Sequence, residues 1–213
     1  EAFYSVGIFV FKDAFREPDY SGFCLFDEEF PIVFVNNSAA KTRQSFTLVH
    51  ELAHLLFHTS GIDTYRNEYV EELPLKERRI EVFCNKFTAE FLAPEREFER
   101  AMGGLGVSEE TAHILASHFR VSREFVYRRF LDRGLIDENT YSEATSRWTN
   151  QIRGGDGGNP YWTKIAYLGR EYIHIALRQY HQNRINESQL AEYLGSKPRH
   201  LSTLTDYFER SAV

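Results

Sequence analysis

Cysteine is scarce in this chain, with only Cys24 and Cys84 among 213 residues. Two thiols cannot build the multi-bridge framework on which small secreted folds depend, and no basic n-region followed by an apolar h-region opens the chain. A cytoplasmic protein is expected. Basic excess is missing too: 25 Lys and Arg against 31 Asp and Glu leave a formal net charge of −6 and a pI near 5.8. The chain as a whole therefore has no field to attract nucleic acid phosphates non-specifically, although local basic patches are not excluded. No apolar run approaches the roughly 18 to 20 residues needed to span a bilayer. There is no internal repeat and no low-complexity tract. The first residue is Glu1 rather than Met, so a trimmed chain or a fragment is expected, with room for an upstream domain. Core-forming material, by contrast, is plentiful: 42% of residues are hydrophobic and 15% aromatic, enough for one sizeable core or two smaller ones.

The chain divides by pattern into an α+β front and an all-helical rear. "VGIFVF" (6–11), "GFCLF" (22–26) and "IVFVN" (32–36) are β-branched and aromatic runs separated by turn-forming segments, and read as a small sheet. From Arg43 to His58 the apolar residues Phe46, Val49, Leu52, Ala53 and Leu56 recur at helical spacing. After a polar connection, "KERRIEVFCNKFTAEFLAP" reads as a second helix stopped by Pro94, with Ile80, Phe83 and Phe87 available to pack it. A Gly-rich break, "GGLG", precedes a helix pair over "VSEETAHILASHF" and "REFVYRRFLDRGLI". "RGGDGGNP" is the clearest linker, and beyond it "YWTKIAYLGREYIHIALRQYHQ" and "ESQLAEYLGSKPRHLSTLTDYF" look helical, with Gly195, Ser196 and Pro198 interrupting the last part. The expected organisation is a core at 1–103, a helix-turn-helix-like region packed on it at 104–152, a linker at 153–160 and a helical extension at 161–213.

"FTLVHELAHLLFH" (46–58) sets three histidines and a glutamate in an apolar stretch. Residues four apart share a helix face, so His50 and His54 can direct two ring nitrogens at one ion, the H-E-x-x-H arrangement. Glu51 is rotated to the side, where its carboxylate can act as general base on a metal-held water. Val49, Leu52, Ala53 and Leu56 are expected to pack the opposite side of the helix. The competing reading is a core helix with ordinarily satisfied histidines, and it weakens once a third ligand is found. His58 is unsuitable, since on a continuous helix it lies on the order of 12 Å beyond His50. Glu81 on the second helix is a suitable third ligand, with Asn85 four residues on to accept the second ring N–H of a ligand histidine.

"RQSFTLVHELAHLLFH" followed by "IEVFCNKFTAEFLAP" resembles the ImmA/IrrE family of metallo-endopeptidases, whose members carry an R-x-x-F-T-x-x-H-E-x-x-H block and then an E-x-x-x-N-x-F-x-A-x-x-L-x-P block. The likeness is strong from about Val6 to Pro94 and weaker through "HFRVSREFVYRRFLDRGLI". The resemblance implies a zincin-like sheet, Zn2+ held by His50, His54 and Glu81, and Glu51 as catalytic acid/base. It also implies a regulatory protease acting on a helix-turn-helix repressor or antitoxin in a mobile-element, stress or toxin–antitoxin circuit. The same donor set accepts Mn2+ and other divalent ions. A substrate peptide is expected along an exposed edge of the "IVFVN" strand. Tyr65 and Arg66 are candidates for the second oxyanion donor, and Arg43 for either a catalytic role or a structural salt bridge. Cys84 is expected to be a structural thiol. A rival to proteolysis is a zinc-containing binding or sensor module that does not cut, and another is a metallohydrolase or toxin with a different substrate.

Both helix pairs raise the question of DNA binding. In the first, Arg120, Arg123, Arg128, Arg129 and Arg133 are opposed by Glu109, Glu110, Glu124, Asp132, Asp137 and Glu138, a balance that favours packing. In the second, Lys197, Arg199 and His200 lie near the turn, and a packing or partner-binding role is again expected. Direct DNA binding by the chain is therefore not expected. His113, His118, His174 and His181 have no ligand company and are expected at the surface or satisfied in the core.

Overall fold

The computed structural model describes residues 2–15, 19–64, 73–149 and 159–210. The fold is α+β, with a four-stranded mixed sheet at the front and helices over the rest. The strands are β1 (Phe9–Asp13), β2 (Tyr20–Leu25), β3 (Ile32–Asn36) and β4 (Gly61–Thr64), in the spatial order β1-β3-β2-β4. β1 runs parallel to β3, while β2 is antiparallel to both β3 and β4.

Strand alternation gives the sheet two unlike faces. Val33 and Val35 of β3 and Cys24 of β2 are buried with Ile8 against Leu48, Leu52 and Leu55 of helix α1 (Lys41–Leu56). On the other face Phe11, Phe34, Phe23 and Phe15 form a run of rings, with centroids 5.8 Å apart for Phe11–Phe34 and 5.3 Å for Phe23–Phe34. The register Phe11↔Phe34↔Phe23 places these rings side by side across three strands.

Helix α2 (Leu75–Leu92) packs on α1 but buries only Cys84 and Thr88. Phe83, expected to pack this helix, is 49% exposed and meets the ring of Phe57. Four further helices, α3 (Glu95–Met102), α4 (Glu109–Phe119), α5 (Arg123–Asp132) and α6 (Glu138–Thr149), share a core of Phe98, Ala112, Leu115, Val126, Phe130 and Trp148. The last four, α7 (Pro160–Leu168), α8 (Arg170–His181), α9 (Glu187–Tyr193) and α10 (Leu201–Arg210), enclose a separate cluster built on Ile165, Ile173, Leu190, Leu194, Leu204 and Phe208. This last group lies against the aromatic face of the sheet: α7 contacts β1, Tyr172 meets Phe11 edge-on at 5.1 Å, and Asn37 donates to the Tyr167 hydroxyl.

Several expectations are corrected. The first strand begins at Phe9, because Tyr4–Val6 form a 3-10 turn that Gly7 closes at φ +82°. "IVFVN" has no free edge, since β3 lies between β1 and β2, and β4 stands at the sheet margin instead. α1 ends at Leu56; His58 lies past it at φ +55°, its ring stacked on Phe26. The helical phase buries Leu55 and leaves Leu56 60% exposed, so Leu56 is not part of the packing stripe. The segment 161–182 is two helices broken at Gly169, where φ is +79°. Residues 153–158 of the expected linker lie outside the described residues, and its last two start a helix: Asn159 accepts hydrogen bonds from the backbone N–H groups of Tyr161 and Trp162, and Pro160 takes the first helical position. α3 and α6 were not expected. Among the described residues no helix is long and apolar enough to cross a membrane.

Candidate metal centre

α1 and α2 cross so that His50, His54 and Glu81 converge, with their ligand atoms all within 4.8 Å of one another. His50 Nε2 is 3.1 Å from Glu81 Oε2, His54 Nε2 is 3.1 Å from Glu81 Oε1, and the two Nε2 atoms are 3.2 Å apart. Tetrahedral zinc with N and O ligands at about 2.0–2.1 Å has ligand atoms separated by about 3.3–3.4 Å. The trio is thus already near the spacing such an ion requires.

The hydrogen bonds behind the trio set the chemistry of one ring. The Thr59 hydroxyl donates to the His54 carbonyl at 3.0 Å, so its proton is committed. The contact between His54 Nδ1 and Thr59 Oγ1 at 3.3 Å then requires Nδ1 to be the donor. Nε2 is left with a lone pair aimed at the Glu81 carboxylate and at His50. Acceptors facing one another in a buried site need a cation or a proton between them, and a divalent cation satisfies all three donors. Without one, the hydrogen bonds with His50 and His54 outweigh burial and hold the Glu81 carboxyl down at about 2. His50 is raised despite burial by the hydrogen bond with Glu81 and by the charges of Asp63 and Glu51.

Glu51 is fully buried, and neither carboxylate oxygen has a hydrogen-bond partner among the described residues. Burial pushes its carboxyl up to about 7, with the neighbouring Cys24 thiol and His50 pulling the other way. A carboxyl poised near neutrality exchanges a proton readily in either direction. Cys24 and Cys84 flank this pocket and are both buried. Burial, with Glu51 nearby, pushes the Cys24 thiol far up, and burial with Glu81 and Glu51 pushes Cys84 up to about 12. Both therefore stay protonated, and neither belongs to the converging ligand group.

The sheet margin is tied to the same helix. Arg43 donates through Nε to Ser21 and through a second nitrogen to Asp63 at 2.9 Å, while Thr47 donates to the other Asp63 oxygen at 2.8 Å. Of the two roles weighed for Arg43, this is the structural salt bridge. Gly61 at the start of β4 lies flat against His54; a Cβ there would sit 2.8 Å from the ring carbons Cγ and Cδ2.

Asn85 makes no hydrogen bond to either imidazole among the described residues. Thr59 serves the Nδ1 of His54, while the buried Nδ1 of His50 has no partner among the described residues. Thr59, Asp63 and Gly61 escaped the sequence reading because all three follow the chain reversal after α1, in a stretch that reads only as a polar connection. Tyr65 and Arg66 lie outside the described residues. His113, His118, His174 and His181 are exposed and apart from the metal trio.

Comparison with known proteins agrees with this geometry. The family model of the IrrE N-terminal-like domain, a peptidase family, matches residues 4–131. The radiation response metalloprotease IrrE of Deinococcus radiodurans is 31% identical over 103 residues, which cover 46% of this chain. The match spans only 30% of that relative's length. With the family model covering more than half of its residues, the chain belongs to the ImmA/IrrE family of metallopeptidase domains.

Proposed function

We propose that the chain is a cytoplasmic zinc-dependent endopeptidase, with His50, His54 and Glu81 as metal ligands and Glu51 as general acid/base. The observation that carries this reading is the buried Glu51 carboxylate, without a hydrogen-bond partner among the described residues and raised to about 7, beside three converging ligand atoms. A divalent cation held there supplies Lewis acidity toward a peptide carbonyl and acidifies a water. Glu51 takes the proton of the attacking water and delivers it to the leaving amine nitrogen. Thr59 keeps His54 in the tautomer that ligates through Nε2. Burial keeps Glu51 from being solvated between the two proton transfers.

The substrate backbone fits along β4 rather than β3, because β4 pairs with β2 on one side and with no strand on the other among the described residues. The Arg43–Asp63–Thr47 network fixes the height of that edge above α1. The substrate is proposed to be a regulatory protein of helix-turn-helix repressor or antitoxin type, in a stress, mobile-element or toxin–antitoxin circuit. The Deinococcus relative is a radiation response metalloprotease, which supports the stress setting. A non-cutting sensor module is less well supported, since such a module has no need of a buried, proton-poised Glu51.

Two measurements test the reading. Metal analysis of chelator-free protein should find about one zinc per chain in the parent and little in His50→Ala, with Glu51→Gln retaining the metal. Co-expression with a helix-turn-helix repressor encoded beside it should yield cleavage fragments with the parent and none with Glu51→Gln. Metal retained in full by a His50→Ala, His54→Ala double variant would sink the ligand assignment. Cleavage undiminished in Glu51→Gln would sink the role of the acid/base.

A further inference from the structure

The last four helices carry a feature that peptide hydrolysis does not use. Asn186 caps α9 through a reciprocal capping box with Gln189. Leu190, Ala191 and Leu194 are buried on one side of the turn, and Leu201, Leu204 and Phe208 on the other. Gly195 lies between them at φ +54°, a left-handed conformation that L side chains rarely adopt. Pro198 then opens a 3-10 turn that runs directly into α10. A short capped helix, a left-handed residue and a second helix that seals the same core make up a helix-turn-helix.

The outward face of the second helix has a definite chemistry. Arg199, Ser202, Asp206 and Arg210 recur at helical spacing on the side away from Leu201, Leu204 and Phe208, and all four are exposed. Lys197 is exposed in the turn just ahead of them. No large apolar or aromatic side chain is exposed on this stripe, so it lacks both the apolar centre of a protein interface and the ring platform of a single-strand binder. Within residues 187–210 the cations Lys197, Arg199 and Arg210 stand against Glu187, Glu192, Asp206 and Glu209, so the pair has no net cationic excess and its cations are placed at the turn and at the end of α10.

We infer that α9 and α10 form a duplex DNA-binding unit, with Lys197 and Arg199 on backbone phosphates and the Ser202 to Asp206 face directed at base edges in the major groove. This departs from the packing or partner-binding role expected for this pair from sequence, and from the expectation that the chain does not bind DNA directly. α4 and α5 keep their packing role, because Arg129 and Arg133 are bound to Glu95 and Arg128 pairs with Asp132.

The test is fluorescence anisotropy of the full chain with a labelled duplex pool of random sequence, about two to three helical turns long, at several salt concentrations and in the presence of a chelator. The chelator separates this inference from the peptidase reading, since α9 and α10 contain none of the metal trio. The parent should bind duplex in preference to the matching single strand. Lys197→Ala with Arg199→Ala should weaken binding about tenfold or more at low salt and flatten the salt dependence by about two counterions. Asp206→Asn should tighten it, a gain of function that no unfolded variant can mimic. Arg128→Ala on α5 should bind as the parent does. Absence of duplex binding at low salt, equal affinity for single strands, or a double variant as tight as the parent would each overturn the assignment. Capture of a protein partner through this face without duplex binding would overturn it as well.

Discussion

The α4–α5 pair and the α9–α10 pair are written with the same spacing and put to different uses. In the first, Leu115 and Ala116 are buried, Arg120 takes a left-handed φ of +56° four residues after Ala116, and Val126 is buried ten residues after it. In the second, Leu190 and Ala191, Gly195 at φ +54°, and Leu201 hold the corresponding places. The difference lies in where the cations go. Arg123 lies over Trp148, Arg129 and Arg133 stack on Phe98 while pairing with Glu95, and Arg129 also donates to the Ala93 carbonyl. The second pair leaves Lys197 and Arg199 on the surface. A shared backbone motif thus fixes the core, and the partners of its arginines separate a structural brace from a recognition surface.

Truncating the two cores is the strongest way to break this comparison. Phe130→Ala, at a position with no exposure, should cost about 3–5 kcal/mol, and Leu204→Ala about 2–5 kcal/mol. Because the clusters are separate, Leu204→Ala should abolish DNA binding while leaving zinc stoichiometry unchanged, as followed by denaturant unfolding beside metal analysis. A single transition, with metal lost equally in both variants, would erase the distinction between the regions. The arginines offer a sharper contrast. Arg129→Ala should destabilise by about 2–3 kcal/mol, since its largely buried guanidinium serves a carbonyl, a carboxylate and a ring, whereas Arg199→Ala should fall within about 0.5 kcal/mol of the parent in the same unfolding experiment. The turns give the smallest and most local effect. Arg120→Gly should stabilise by up to about 1 kcal/mol and Gly195→Ala should destabilise by about 1–2 kcal/mol, opposite signs measurable by thermal melting.

What could be read from the sequence was whatever is local. His50 and His54 are one turn apart on a single helix, and the chain brings them together with Glu81 in space. The α+β class followed from short β-branched and aromatic runs at the front and apolar residues at helical spacing behind them. Features that depend on chain reversal were hidden: four residues of β4 carry too little pattern to announce a strand, yet they form the sheet margin and deliver Asp63 to Arg43. Helical phase was legible only to within one residue, so Leu56 was taken for a core residue in place of Leu55. α3 and α6 were missed because their compositions are dominated by charge and hydroxyls, with Phe98 in one and Tyr141, Ala144 and Trp148 in the other as the sparse anchors. Charge counting along 109–138 set the arginines against acids within the same stretch. It could not show that the balance is made by Glu95, about 34 positions before Arg129, because pairing across the fold leaves no mark on local spacing.

Gly61 bears on how the metal helix tolerates change. Its missing side chain is the space that His54 occupies, so the smallest addition at this position would press on an imidazole rather than on solvent. An inventory of the centre by reactive atoms stops at two imidazoles and two carboxylates and passes over this residue, which contributes nothing but vacancy. Mutational scanning of the chain should therefore find an intolerant position at a surface strand that no tally of ligands explains, with metal loss preceding any loss of the sheet.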